Sequence, residues 1–232
     1  MKMLMVLSLL VWMFHPVPAL AKSTYVYVVT RLSGEKVTYN KDGQVTKYGD
    51  YKMKYAHGRL AALTDRYTTY AFTYRKGKLV TVNKQKVTYE KKRMTYLDEK
   101  MKTQTSPKGT CVSFLQASPY SDRAQFLFNA KGQLLVSHFM DYDAYYTYDE
   151  MGLVVHGSKL DLSTGVGAYQ FTMKNTYRKQ LLKSRTIAIS YDSHYTKHEI
   201  FTYKKMRVQD VRAVKKQQTV LLNNLDLIHL VF

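Results

Sequence analysis

The chain has 232 residues, with 36 Lys and Arg against 17 Asp and Glu, a formal charge of +19, 21 tyrosines and a single cysteine. One cysteine excludes an internal disulfide, so a fold of this size depends on a sizeable apolar core. The positive excess attracts polyanions and repels cationic partners, and it says nothing about fold.

The N-terminus comes first in chain order. Lys2 is followed by an apolar run over residues 3–14, broken only by Ser8. His15, Pro16 and Pro18 then interrupt any helix, and Ala19-Leu20-Ala21 carries the small residues that a signal peptidase reads. This three-part pattern predicts a signal peptide over residues 1–21, cleavage after Ala21, and a secreted or cell-envelope-associated protein. A membrane-spanning helix needs about 20 apolar residues. The run is shorter than that and no later segment qualifies, so no transmembrane anchor is expected after cleavage. The signal removes the only tryptophan, Trp12, and leaves 211 residues with 35 basic and 17 acidic side chains.

Residues 22–232 read as one all-β domain, an antiparallel meander of repeated β-hairpins. An apolar or aromatic residue, then Thr, then Tyr recurs at Val37-Thr38-Tyr39, Phe72-Thr73-Tyr74, Val87-Thr88-Tyr89, Tyr146-Thr147-Tyr148 and Phe201-Thr202-Tyr203. Lys54-Tyr55 and Phe126-Leu127-Phe128 are looser copies. Every position favours a strand, and the period of two sets Thr on the face opposite its neighbours. A turn follows within a few residues, then a basic or polar residue leads into an aliphatic strand, as in Lys76-Gly77-Lys78-Leu79 and Lys131-Gly132-Gln133-Leu134. The glycines suit the positive φ of tight hairpins. Residues 90–93 and 204–207 occupy the same place without glycine and are expected to be degenerate turns.

The key aromatics fall at 39, 55, 74, 89, 128, 148, 177 and 203. Their drifting period favours a meander of ten to fourteen strands over a strict solenoid, forming a curved sheet or half-barrel. Residues 103–110 are polar with Pro107 and Gly109, and read as a loop or an internal boundary. Residues 117–122 read as a second loop. Near the C-terminus, Val208, Val211 and Val214 have helical spacing. The apolar runs on either side of Asn223-Asn224 instead favour a hairpin.

Tyr146-Thr147-Tyr148-Asp149-Glu150-Met151-Gly152-Leu153 resembles the tyrosine–aspartate (YD) repeat of the bacterial RHS family, and residues 126–134 are similar. RHS proteins are exported β-repeat proteins whose large members wind strands into a shell around a toxin. The resemblance implies export and hairpin architecture. The chain is too short to close such a shell, and it has no separate toxin segment.

No catalytic, cofactor-binding or metal-ligating set is assigned. His194 and His198 are four apart, which on a strand separates them by roughly 13 Å. Cys111 is flanked by Val112 and Phe114, as a buried apolar residue would be. Asp141, Asp143, Asp149 and Glu150 form an acidic cluster without an EF-hand pattern, and the chain has no nucleophile elbow or phosphate-binding glycine loop.

Basic residues interleaved with aromatics remain: Lys52, Lys54, Lys91, Lys92, Arg93, Lys204, Lys205 and Arg207 are the candidate polyanion contacts. Such interleaving suits anionic polymers, with nucleic acid the less favoured among them. It equally suits cross-strand aromatic pairing with lysines blunting sheet edges. The expectation is an exported, non-enzymatic binding or structural protein on an anionic envelope or extracellular polymer. A carrier of a hydrophobic ligand in a curved sheet and a hydrolase using Asp141 and Asp143 are the alternatives.

Overall fold

The period-two triplets and the aliphatic runs after each turn become strands because each can bury one face and expose the other. The computed structural model describes residues 24–98, 102–115, 123–139, 142–161, 169–190 and 194–223. The expected signal peptide, the 117–122 loop, Asp141 and residues 225–232 lie outside them.

In chain order, the strands of the first half are β1 (Thr24–Val29), β2 (Arg31–Leu32), β3 (Glu35–Tyr39), β4 (Val45–Tyr48), β5 (Tyr51–Ala56), β6 (Arg59–Thr64), β7 (Thr69–Arg75), β8 (Lys78–Val82) and β9 (Gln85–Lys86). Next come β10 (Thr88–Lys92), β11 (Thr95–Leu97), β12 (Thr103–Thr105), β13 (Gly109–Phe114), β14 (Ala124–Phe128), β15 (Leu134–Phe139) and β16 (Tyr142–Tyr148). The last are β17 (Val154–Asp161), β18 (Tyr169–Arg178), β19 (Leu181–Ser190), β20 (His194–Ile200), β21 (Tyr203–Val208) and the helix α1 (Val211–Leu222).

All pairing is antiparallel. Strands β2 to β9 form an eight-stranded meander, and β10 followed by β13 to β20 forms a nine-stranded one. Two small ribbons, β11–β12 and β1–β21, complete an all-β fold in which, among the described residues, no sheet closes into a barrel. The hydrogen-bonded sheets divide at Val87.

Two turn chemistries build the hairpins. At His57-Gly58 and Lys76-Gly77 both central residues have positive φ, the geometry that matches strand twist. At Asn40, Asn129 and Asp149 a side-chain oxygen instead accepts backbone amides of the turn, such as Gln44 N and Gln133 N at 3.0 Å and Leu153 N at 2.9 Å. The Asp of the Tyr-Asp pair is therefore a turn-forming residue.

A one-residue bulge then recurs beside Tyr39, Tyr55, Tyr74, Phe128, Tyr148 and Tyr177. Each bulge pairs the aromatic with the aliphatic residue after the turn, sending Val45, Leu60, Leu79, Leu134, Val154 and Leu182 into the core. Bulges also add local twist, which curves the sheets.

The tyrosine hydroxyls link successive hairpins. Tyr55, Tyr74, Tyr89, Tyr148 and Tyr203 donate to the carbonyls of Val45 (2.8 Å), Leu60 (3.0 Å), Leu79 (2.9 Å), Leu134 (2.6 Å) and Leu182 (2.8 Å). Tyr39 does the same to Val29 at 2.6 Å. Apart from Val29 at the end of β1, these carbonyls lie beside bulges, where ladder bonding is interrupted, and a buried carbonyl needs a donor. The middle threonines pair on the opposite face, as Thr38 with Thr46 at 3.0 Å.

One apolar cluster runs from Val29 at the end of β1 and Leu32 in the first sheet to Ile187 and Ile189 in the second, and includes Val220, Leu221 and Leu222 of α1. The helix corrects the expected C-terminal hairpin. Asp210 caps it by accepting from Ala213 N at 2.9 Å, and Val214, Gln218, Leu221 and Leu222 share one buried face at helical spacing. Its amides finish the sheets: Gln218 Oε1 accepts from Val29 N (2.8 Å), Gln217 Oε1 from Val45 N (3.1 Å) and Asn223 Oδ1 from Val154 N (2.8 Å).

Three other expectations change. The described strands number 21 rather than ten to fourteen, because short strands such as β2, β9, β11 and β12 form outside the triplets. Residues 90–93 and 204–207 are not turns. The first run belongs largely to β10, which pairs with β13, and the reversal is replaced by an excursion containing the β11–β12 ribbon. The second lies in β21, whose partner is β1 at the other end of the chain. Residues 103–110 are not a simple loop either, since they contain β12 and the start of β13.

Candidate polyanion-binding faces

Alternation along the first sheet places Lys36, Lys47, Lys52 and Lys54 on its solvent face, while Val37, Met53 and the tyrosines turn inward. The tight Gly49-Asp50 connection sets Lys47 directly opposite Lys52. Arg31 likewise faces Lys36, and Arg75 faces Lys78. Like charges directly opposite on a sheet are destabilising. Glu35 is the only acid in β2 to β9, and it alternates onto the other face from Lys36.

The candidate residues separate into two groups. Lys52 and Lys54 are exposed on this acid-free face. Lys91 and Arg93 are exposed and Lys92 is half-buried, but each makes a hydrogen bond within the protein. Lys91 Nζ donates to Thr110 Oγ1 at 2.6 Å, Lys92 Nζ to Gln125 Oε1 at 3.0 Å while lying 3.7 Å from Glu90, and Arg93 to Ser106 O at 3.4 Å. Lys204, Lys205 and Arg207 are exposed on β21, with Lys204 Nζ 5.3 Å from the Tyr39 ring centroid and Lys205 Nζ 4.5 Å from that of Tyr25.

The basic residue that follows each turn is structural. Arg59 donates to Gly77 O and lies over Tyr74, and Lys78 Nζ sits 3.7 Å from the Tyr89 ring centroid. Gln44 occupies the same place and donates to Gly58 O at 2.8 Å.

A second polar cluster lies inside the nine-stranded sheet. Arg185, 1% exposed, donates from Nε to Asn175 Oδ1 at 2.9 Å and stands opposite Glu199. Its other two guanidinium nitrogens have no hydrogen-bond partner among the described residues. Burial pulls the Arg185 pKa below its ordinary value, against the opposing pull of Glu199. Glu199 accepts from Ser33 Oγ at 2.7 Å and pairs with Lys197 at 2.9 Å.

Asp149 accepts from Asn175 at 3.0 Å and from the Tyr177 hydroxyl. Burial alone would raise Asp149, but hydrogen bonds from Tyr177, Asn175 and the Leu153 and Met151 amides outweigh it and hold the carboxyl below its usual range. Burial, with Asp149 alongside, pushes the Tyr177 hydroxyl well above its own.

The other singled-out groups do not converge. His194 and His198 lie on β20, with His198 Nδ1 3.1 Å from Thr186 Oγ1. Asp143 is held by His138 Nδ1 at 2.6 Å on the outer face, while Asp149 is engaged with Tyr177 and Asn175, so these two carboxylates do not oppose each other. Cys111 is buried against Met94, Leu127 and Val136, and burial raises its thiol pKa.

Sequence reasoning missed Arg31 and Lys36, and it left Lys47, which alternates with the same tyrosines as Lys52 and Lys54, out of the candidate contacts, although counting register outward from Gly49-Asp50 places Lys47 against Lys52. It also missed Arg185, which was visible as a cation in phase with Ile187 and Ile189. Among the described residues no helix is long and apolar enough to cross a membrane. No family model matches the chain, and no curated protein matches it in sequence.

Proposed function

We propose that the protein is an exported, non-enzymatic binding protein that associates electrostatically with an anionic polymer of the cell envelope or extracellular space. The observation that carries this reading is the solvent face of the first sheet, where Lys47 opposes Lys52, with Lys36 and Lys54 beside them and no acid in that face. Cross-strand repulsion of this kind costs stability, and a polyanion lying across the face would relieve it. The inner face is filled by the apolar cluster and the end of α1, which favours a surface role over a carrier of a hydrophobic ligand. The residue pattern shared with YD repeats fits the same reading, because Tyr and Asp serve the hairpins themselves.

The test compares two fourfold variants of residues 22–232 on immobilised polyglycerol phosphate across a salt series. One carries Lys36, Lys47, Lys52 and Lys54 changed to Gln. The other carries Lys131, Lys174, Lys183 and Lys215 changed to Gln. Counterion release predicts at least about a tenfold loss and a shallower salt dependence for the first set at low salt. The second set should bind within about twofold of the parent. Equal losses from both would reduce the effect to net charge and overturn the assignment of the face.

A further inference from the structure

The β1–β21 ribbon carries a different surface, independent of the first-sheet face. One side of β1 is committed: Val26 and Val28 are buried with Val208 and Val214 against the start of α1. Alternation therefore forces Tyr25 and Tyr27 onto the other side, where they are 57% and 54% exposed. The register sets Arg207 opposite Tyr25 and Lys205 opposite Tyr27, and both cations are exposed. The ribbon thus shows two parallel columns, one aromatic and one cationic, each stepping about 6.8 Å along its strand. Lys205 lies 4.5 Å from the Tyr25 ring centroid, so one ring face is braced by a cation.

We infer that this ribbon is a binding site for single-stranded nucleic acid, with bases stacking on Tyr25 and Tyr27 and phosphates meeting Lys205 and Arg207. The chemistry selects this partner among polyanions. A polyol phosphate offers charge but no flat unit for a ring to cover, and the bases of a duplex are already stacked on each other. An extended single strand presents one planar base and one phosphate per step, matching the two columns. Stacking of this kind tolerates any base.

The experiment measures anisotropy of a labelled fifteen-nucleotide oligo(dT) with residues 22–232, and uses inorganic polyphosphate as a charge-only competitor. Tyr25→Leu/Tyr27→Leu keeps strand-compatible, exposed side chains. It should weaken oligo(dT) binding at least about thirtyfold, since each of two stacked bases contributes about 5- to 160-fold, and leave polyphosphate binding unchanged. Lys205→Gln/Arg207→Gln should weaken both ligands. Unchanged oligo(dT) affinity in the tyrosine variant overturns the inference, as does an equal loss for polyphosphate. A tyrosine-dependent loss seen only with an acidic glycan would reassign the partner and overturn it too. The fourfold Lys→Gln variant of the first sheet keeps the tyrosine effect if the two sites are separate, so failure of one proposal is distinguishable from failure of the other.

Discussion

The two sheets apply one hairpin rule with different fidelity. In the first, Tyr39, Tyr55, Tyr74 and the adjoining Tyr89 each reach back one hairpin to a carbonyl near the preceding bulge or strand end. In the second the series is broken. Phe128 has no hydroxyl to give. Tyr177 is diverted to Asp149, and Asn175 Nδ2 takes over the Val154 carbonyl at 3.3 Å. The buried Arg185 and Glu199 lie beside that break. The tyrosine of the repeat is thus a donor for backbone carbonyls, and at Val154 an asparagine amide substitutes for it. A regular ladder leaves the solvent face free to carry charge, whereas an irregular one brings charge inside.

The largest expected effect is alkaline unfolding, which tests whether the halves behave as one. Burial raises the hydroxyls of Tyr74 and Tyr203, one in each half, to about 12 from an ordinary value of 10.0. Burial likewise raises Tyr39, Tyr55 and Tyr148. A raised folded-state pKa contributes stability that is complete below pH 10 and is lost as pH climbs toward the folded value, because the unfolded chain ionises first. Tyrosinate absorbance and far-ultraviolet circular dichroism, followed from pH 9 upward, should change together in one cooperative step. Two separated steps would show that the sheets unfold independently despite their common core.

The next effect belongs to the irregular half. Gly157 lies in β17 where a Cβ would stand 2.5 Å from Phe171 Cζ and 2.7 Å from the Tyr145 carbonyl oxygen. Backbone blocks one side and a packed ring the other. Gly157→Ala should therefore cost about 3 kcal/mol or more, at the upper end for overpacking. Gly58→Ala in the regular half meets nothing within 4 Å and only has to hold φ at +73°, a cost of about 1–2 kcal/mol. Urea midpoints of both variants measure the contrast, and equal losses would mean that the second sheet is no more tightly determined than the first.

Much of this architecture was legible in local sequence, and its limits were distances along the chain. Triplets, glycine turns and the outward threonines follow from period two and from turn chemistry. Bulges do not, because the extra residue on a return strand is defined only against its partner. The helix was misread because residues 219–222 are apolar enough for a strand. The better signal was Asp210 as a cap, followed by Val214, Gln218 and Leu221. The β1–β21 ribbon was invisible, since nothing local announces that Thr24 will meet Val208. The candidate charges divided on the same principle. Among the described residues, Lys52 and Lys54 face solvent without such a partner on an adjoining strand, whereas exposed Lys91 and half-buried Lys92 meet Thr110 and Gln125, residues that only the β10–β13–β14 pairing brings near.

The smallest effect isolates the ladder itself. Tyr89 makes one ladder bond, from its hydroxyl to Leu79 O. Tyr39 makes one to Val29 O and also accepts from Gln218 Nε2 at 3.1 Å, while the same Gln218 satisfies Val29 N. Removing a single hydroxyl costs about 1 kcal/mol, and more when buried partners are left unpaired. Tyr89→Phe should lose about 1 kcal/mol and Tyr39→Phe about 2 kcal/mol, measured by urea unfolding of residues 22–232. Adding Gln218→Met to Tyr39→Phe should cost less than the sum of the separate changes, since both remove the same contact. Strict additivity would mean that the Tyr39 hydroxyl is satisfied without the helix.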